Sequence, residues 1–574
     1  MKKVILALAA IILFICSINA QDLEKQKAEN YLSQQGELIF TFKIEDPSQL
    51  ESFTQNISLV NFDRDTKTVK AWANETQFRH FETFNIPYKV PISENEVDER
   101  ALYDVRPLAN RTATSTLTFP LSSYPTYAEY AQQMQDFEDD YPALVEKVSI
   151  GTTTEGDKEL LFVKISDNVS IDEAEPKLMF TSSMHGDEIA GYPMMLTLID
   201  YILKVYSDTN HADHARVKNL VENAEIWINP SANPDGTYYN SPSNTSVAKA
   251  RRGNANNIDL NRNYPDNVMG DHPDGEFYQK ETIAFMNFAN AHNFVISANF
   301  HGGSELVNYP FDNAYASSQY THADTDWFEL IGVEYATHCQ KAANAGTTST
   351  PTYNNKIAYM TDDNDWDENV GDSVWHNNYQ QSPGVTHGAE WYRVYGGRQD
   401  YMNFYQQCRE VTIELSDTKL LQESLLVDYW YYNKDALLAY LTQGTYGFRG
   451  IVKDAITNNP IEDVKVTVIN HDAYGSEVYT DNHGAFYRPI KDGTYSLLFE
   501  ASYYQPVVVS SQSISDGSTV VLPDVLLMPI SPSVSSNLST SSITTTPATI
   551  NQTSTDAAFD INYSETGVTP WTDF

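Results

Sequence analysis

The chain has 574 residues, more than one ordinary hydrophobic core organises, so two to four domains are expected. Its 77 acidic against 37 basic residues give a formal charge of −40, a field that repels nucleic acid and anionic membrane and keeps a secreted protein soluble. Beyond the N-terminus no run of eighteen apolar residues occurs, so no membrane-spanning helix is expected.

The N-terminus reads as a secretion signal. Lys2 and Lys3 form its basic part, Val4 to Ile15 its apolar part, and Ser17-Ile18-Asn19-Ala20 a cleavage site before Gln21. Cys16 raises the question of a lipid anchor, but bulky Ile15 stands where lipoprotein signals want a small side chain, which favours cleavage after Ala20. The mature chain, placed outside the cytoplasm as a secreted, cell-surface or periplasmic protein, then keeps only Cys339 and Cys408. One disulfide is allowed there, and a cysteine-rich zinc knuckle is excluded. Any metal must be held by His and carboxylate.

Residues 21 to about 117 read as a small α/β unit, with strands at Glu37–Ile44, Thr68–Ala73 and Pro87–Val90 and a helix at Glu75–Phe84. The polar stretch Ser93–Arg111 reads as an exposed linker that a protease could cut. From Tyr124 the signals strengthen. Tyr127–Tyr141 places Tyr127, Tyr130, Met134 and Phe137 on one helical face, and Val145–Ile150 and Leu160–Ile165 read as strands. The apolar run Lys177-Leu178-Met179-Phe180 reads as a buried strand, followed by a helix over Gly191–Val205 with Pro193 in its first turn, then a strand at Glu225–Ile228. Strands alternating with helices imply an α/β fold with a mostly parallel sheet, where ligands bind at the carboxyl ends of strands.

His185-Gly186-Asp187-Glu188 falls at such an end. A His and a Glu three positions apart can converge on one zinc ion, which then needs one more protein ligand and one open position. The strand Val295–Phe300 delivers His301, a second strand-end imidazole. Alone it would be structural; with the first motif, ligation is the better reading. Between them the amide-rich segment Arg251–Tyr264, with Arg251, Arg252 and Arg262, is either a solvated loop or a site for a small anion, since guanidinium groups clamp carboxylates in two-toothed fashion. Asp362, Asp363, Asp365, Asp367, Glu368 and Asp372 lie in a long irregular loop that reads first as solvated, with a basic-substrate rim or a Ca²⁺ site as alternatives. Glu414, inside the apolar strand Val411–Leu415, is costly to bury unless it is paired or functional. A helix over Ser424–Leu441 closes this region, with Ser424 as its cap. From Gly447 to about Met528 short alternating strands read as an all-β sandwich, and from Ser531 a Ser/Thr-rich segment reads as a disordered tail.

His185-Gly186-Asp187-Glu188, Asn261-Arg262-Asn263, His301, Tyr392 and Ile413-Glu414-Leu415 occur in the order and near the spacing of the zinc metallocarboxypeptidases, which residues 120 to 443 resemble. Asn257–Asp266 and Tyr309-Pro310-Phe311-Asp312 are similar to the regulatory branch, carboxypeptidases D, E, M and N, which also carries a transthyretin-like β domain after the catalytic one. The resemblance implies an α/β fold of mixed, mostly parallel sheet with helices on both faces, preceded by a propeptide-like α+β unit and followed by the sandwich. The implied divisions are a signal at 1–20, a propeptide-like domain and linker at 21–117, a catalytic domain at 118–445, a β-sandwich at 446–529 and a tail at 530–574. It further implies one Zn²⁺ per chain held by His185, Glu188 and His301, with Asp259 orienting His185. Asn261 and Arg262 would hold a substrate's terminal carboxylate, Arg252 would polarise the scissile carbonyl, Tyr392 would close over the bound residue, and Glu414 would be general base and then acid. Asp312, with Gln399 at the pocket base, implies preference for C-terminal Lys or Arg; the weaker alternative for Asp312 is a surface turn residue. The expected partners are peptide or protein C-termini, met by a monomer. Two other functions are weighed: an inactive peptide-binding protein of the same fold, which would need a lost ligand or a lost Glu414, and a zinc amidase on cell-wall or acylated substrates, against which Asn261 and Arg262 argue.

Overall fold

In the computed structural model of the chain, the described residues are 21–530, apart from 47–48, 64–65, 94, 108–110, 112–115, 316–319 and 363–383, together with four short strands in the tail. The expected signal, most of the acidic loop and most of the tail lie outside them.

The N-terminal unit is a four-stranded antiparallel sheet of β1 (Glu37–Lys43), β2 (Ser58–Asp63), β3 (Thr68–Asn74) and β4 (Tyr88–Lys89), in the order β2-β3-β1-β4. Helices at 21–35, Leu50–Thr54 and Glu75–Glu82 accompany it; the first two and β2 are not among the expected elements. The helix Glu75–Glu82 starts in a capping box, the Asn74 side chain accepting from Gln77 N and the Gln77 side chain from Asn74 N. Side chains alternate across the sheet. Leu38, Phe40, Phe42, Leu59, Val69, Ala71 and Ala73 face a core with Phe53, Phe78 and Phe81. The opposite face carries Glu37, Ile39, Ser58, Val60 and Trp72, and it is turned to the next domain.

That domain holds an eight-stranded mixed sheet: β5 (Val145–Thr152), β6 (Glu159–Ile165), β7 (Lys177–Ser182), β8 (Glu225–Asn229), β9 (Phe294–His301), β10 (Glu305–Tyr309), β11 (Val385–His387) and β12 (Arg409–Leu415). The order is β11-β10-β12-β9-β7-β8-β6-β5. The central strands β8, β7, β9 and β12 run parallel, as do β10 and β11; β5, β6 and the β10–β12 pair are antiparallel. The central strands β7, β8 and β9 are buried on both sides because helices cover both. Leu161, Val163, Leu178, Phe180, Ile226 and Ile228 pack under the helices Tyr127–Asp140, Gly191–Ser207, Thr325–Ala345 and Leu426–Gln443. Leu160, Phe162, Met179 and Trp227 pack under Lys280–Asn290 and Arg398–Tyr405. Cys339 and Cys408 are buried and free, so the allowed disulfide is not formed. Ser424 does not cap the last helix, which begins after a 3-10 turn at Glu423–Leu425; the Ser424 N–H instead donates to Asp104.

Ser93–Arg111 differs from expectation. Glu96, Asp98, Glu99, Arg100 and Asp104 are exposed as expected, but Asn95, Tyr103 and Arg111 are buried against the catalytic domain. Asn95 Nδ2 donates to Asp187 Oδ2 at 2.9 Å, Tyr103 enters the core, and Arg111, fully buried, pairs with the equally buried Glu423. The sandwich follows as two sheets, β16-β13-β19 with β20, and β15-β14-β17-β18, where β13 to β20 are Gly447–Asp454, Lys465–Val468, Val478–Tyr479, Ala485–Arg488, Gly493–Glu500, Val507–Ile514, Thr519–Val521 and Val525–Leu527.

Breaking one side of a buried ion pair leaves the other charge uncompensated, at a cost of ~3–5 kcal/mol. Arg111→Met therefore lowers the unfolding midpoint of the intact chain in urea well beyond Glu29→Gln, whose partner Arg79 is exposed; equal midpoints would show that the segment is not anchored there.

Candidate metal centre and substrate pocket

Strand β7 ends in a sharp turn. Ser183 has φ 56°, a left-handed conformation that favours glycine, and its hydroxyl donates to the Glu188 carbonyl at 3.1 Å. The turn aims His185 and Glu188 to the carboxyl end of the sheet, where neighbouring β9 ends on His301. His185 Nδ1 lies 2.9 Å from Glu188 Oε2, His301 Nδ1 2.8 Å from the same oxygen, and the two imidazole nitrogens are 3.1 Å apart. A tetrahedral ion with bonds of ~2.0–2.1 Å needs ligand separations of ~3.3 Å, a few tenths more than is seen, so this donor set fits zinc. The three side chains are nearly fully buried.

Each ligand is held from behind. Asp259 Oδ1 takes His185 Nε2 at 2.9 Å, which fixes the ring and leaves Nδ1 for a metal. The Asn299 amide lies 2.8 Å from His301 Nε2. Lys419 donates to Glu188 Oε1 at 3.0 Å, and its second acceptor is Asp187 at 3.4 Å. Burial opposes ionisation of Glu188, but His185 and Lys419 beside it outweigh that and hold its carboxyl well below the usual range. Burial likewise opposes ionisation of Asp259 and is outweighed by Arg252 and His185. Burial draws His301 down to about 4, which keeps its ring neutral and able to ligate.

The remaining expected residues lie around one cavity. Glu414 on β12 pairs in register with His301 on β9 and lines the cavity; burial, then Glu188, push its carboxyl well up. Arg252 lines it too, with Nε 2.9 Å from Asp259 Oδ2 and NH1 3.3 Å from Glu188 Oε1. Asn261 and Arg262 sit in a 3-10 turn whose N-cap is Asp259, and the Asn261 side chain accepts from Arg398 N at 2.9 Å. Tyr392 lines the wall and packs against the N-terminal core, with its hydroxyl pushed up to about 12 by burial. Asp312 lies in the same cavity, with Oδ1 accepting from Asn308 at 3.0 Å and Gln399 at 2.9 Å. Gln399 stands behind Asp312 rather than on the cavity wall. Burial raises Asp312 to about 6. Gly388 lines the cavity beside Asp312; a Cβ there would stand 1.9 Å from Asp312 Oδ1, so any side chain would displace that carboxylate.

Several contributors escape the sequence reading. Lys419, buried beside Glu188, follows Glu414 by five positions in an unremarkable polar turn. Arg398 and Glu410 form a buried pair at 3.0 Å under the pocket. The N-terminal sheet reaches the site: Ser58 donates to Asp259 Oδ2 at 2.6 Å, Glu37 accepts from the backbone of Arg252 and Gly253, and Val60 lines the cavity. The space left is about 40 Å³, enough for a water or so and not for a peptide end. Elsewhere, Glu155, Asp157 and Asp235 cluster around the ammonium of Lys158, and Asp324 and Asp472 are taken by Arg409 and Arg488, so these acids are already paired with protein cations.

A zinc carboxypeptidase family pattern matches residues 130–436, and a carboxypeptidase regulatory-like domain pattern matches residues 447–527. Human carboxypeptidase D is 34% identical over 393 residues, 68% of this chain and 26% of that protein. The human carboxypeptidase N catalytic chain is 30% identical over 414 residues, 67% of this chain and 81% of the relative. The crystal structure of carboxypeptidase A from Helicoverpa armigera shares the fold with a TM-score of 0.50 at 18% identity, covering 72% of this chain and 98% of that one. The chain belongs to the zinc carboxypeptidase family, with a regulatory-like β domain following the catalytic fold. It resembles carboxypeptidases D and N, and it spans about a quarter of the length of the carboxypeptidase D relatives it matches.

Loss of a carboxylate that orients a metal-bound imidazole typically costs ~10–100-fold in metal affinity. Asp259→Ala should weaken zinc retention by that factor in chelator competition while the protein stays folded; unchanged retention would remove Asp259 from the metal centre.

Proposed function

We propose that the protein is a secreted, monomeric, zinc-dependent carboxypeptidase that releases C-terminal Lys or Arg from peptides or proteins. The observation that supports this best is the arrangement of His185, Glu188 and His301 around one point, in the same cavity as Glu414, Arg252, Arg262 and Asp312. Zinc, when bound by the three ligands, supplies Lewis acidity and brings the ionisation of water near neutral pH. Glu414, unpaired at Oε2 among the described residues, takes the proton of the attacking water and returns it to the leaving amine. Arg252 opposes charge on the carbonyl oxygen, fixed in place by Asp259. Asn261 and Arg262 receive the free α-carboxylate, which an internal peptide bond lacks, and Tyr392 covers the bound residue. Asp312, oriented by Asn308 and Gln399, receives the basic side chain.

The N-terminal unit, in this reading, shields the site. It places Val60 in the cavity and leaves no room for a substrate, so peptide hydrolysis requires its displacement or removal.

The test is hydrolysis of peptides ending in Arg, Lys or Phe, with and without chelator, by the intact protein and after cleavage of the N-terminal unit. Activity on Arg and Lys peptides should appear on cleavage and vanish with chelator. Glu414→Gln should lose ~10²–10⁴-fold in kcat with zinc content unchanged. Activity that survives chelation, or survives Glu414→Gln, would overturn the mechanism.

Asp312 adds a pH signature. Its carboxyl, raised to about 6, is charged above that pH and neutral below it. The ratio of kcat/KM for an Arg peptide to that for a Phe peptide should therefore fall as pH drops through about 6, groups shared by both substrates cancelling in the ratio. Asp312→Asn should make the ratio low and flat; a ratio that keeps its pH dependence in that variant would assign the titration elsewhere.

A further inference from the structure

The helix Arg398–Tyr405 sets the pocket from behind. Its first residue donates its backbone N–H to the Asn261 side chain at 2.9 Å, and its second, Gln399, donates to Asp312 Oδ1. The third, Asp400, is 2% exposed, is not on the cavity wall, and faces the backbone of the substrate-pocket turn. Asp400 Oδ1 accepts from Asp312 N at 2.8 Å and Oδ2 from Asn313 N at 2.9 Å. The same turn is pinned from a second side, where Asp266 Oδ2 accepts from Asn313 Nδ2 at 2.9 Å and from Gly396 N at 3.0 Å. Asp312 O in turn accepts from Val394 N at 2.9 Å.

We propose that Asp400 is a positioning residue for substrate specificity: its two-toothed grip on the Asp312 and Asn313 N–H groups aims the Asp312 carboxylate at a cationic side chain in the pocket. This rests on the reading of Asp312 as the acceptor of C-terminal Lys or Arg. The physical argument is one of lever and anchor. Asp312 follows the β10 strand end by three residues and has no secondary structure of its own, so its direction is set by what holds its backbone. Buried N–H groups left without an acceptor are costly. Removing Asp400 frees both N–H groups at once, and the turn must move to satisfy them. Asp312 then leaves the line of its contacts to Asn308 and Gln399. The catalytic groups stand on other elements, with Glu414 on β12 and the metal ligands at the ends of β7 and β9, and they keep their places.

The consequence is a split by substrate. In Asp400→Ala, assayed like the parent after cleavage of the N-terminal unit, KM for a peptide ending in Arg should rise on the order of ten- to a hundredfold. Its kcat, and both constants for a peptide ending in Phe, should stay close to the parent values. Asp400→Asn, which keeps one acceptor oxygen and the side-chain volume, should show the same split to a smaller degree, and it carries the test if the alanine variant does not fold. Zinc content and circular dichroism establish that the variants are folded. Equal loss on Arg and Phe peptides, or no loss on either, would overturn the proposal. Asp312→Asn measured alongside separates the two readings. If Asp312→Asn leaves the preference for Arg intact, the pocket assignment itself falls. If it abolishes the preference while folded Asp400 variants keep it, only the role of Asp400 falls.

Discussion

Parallel strands β7 and β9 lie next to each other and end at the same edge of the sheet, and the site depends on that adjacency. One carries His185 and Glu188 just past its last residue, the other ends on His301. A metal bound there ties two chain segments more than a hundred positions apart, and it can do so only if both strands keep their register. The register is enforced by burial on both faces, because a one-residue slip would exchange Leu178 and Phe180 for Met179 on every covered surface. β12, on the other side of β9, adds Glu414 opposite His301. His301 and Glu414 therefore stand on neighbouring strands, and His185 and Glu188 on the turn that ends a third, all placed by the buried sheet.

Much of this was legible in the chain, for identifiable reasons. The strands that build the sheet's centre are short apolar runs, and the residues that break them, His185, His301 and Glu414, are chemically conspicuous against that background. Asp259 and Arg252 could be placed only through the family resemblance. What the sequence hid are partners whose meaning depends on distant residues. Ser93–Arg111 is polar and looks exposed, yet Asn95 finds Asp187 and Arg111 finds Glu423, 312 positions away. Lys419 looks like any surface lysine until its neighbours Asp187 and Glu188 are seen. The helix Thr325–Ala345 is different: Phe328, Ile331, Tyr335 and Cys339 recur at helical spacing, and that signal was available in the sequence.

The electrostatics of the buried site explain why these hidden partners are needed. Asp187, Glu188, Asp259 and Glu414 are gathered in nearly dry surroundings, and so many carboxylates together favour neutral forms unless cations answer them. Arg252 answers Asp259 and Glu188, and Lys419 answers Glu188 and Asp187. Among the described residues Glu414 is the one of these four acids without an ion pair, and burial, then Glu188, push its carboxyl up. The chain's own cations are thus set against Asp187, Glu188 and Asp259, and Glu414 stands apart from them.

The N-terminal sheet meets this arrangement one layer out from the metal ligands. Ser58 contacts Asp259, Asn95 contacts Asp187, and Glu37 holds the backbone of Arg252 and Gly253. None of these touches His185, Glu188 or His301, so docking does not require any ligand position to be given up. Ser58 and Asn95 set neutral donors against acids, Asp259 keeping its other oxygen on His185, and Glu37 takes backbone N–H groups there. Burial of Glu37, with Asp187 near it, lifts its carboxyl to about 7, whereas a released unit would return it to water and to the ordinary carboxylate range. The docked state thus binds a proton more readily than the free state, and acidification between those two values favours docking. The same face that places Val60 in the cavity is therefore attached through groups that leave His185, Glu188 and His301 together beneath it. A site covered in this way can be complete before it is open.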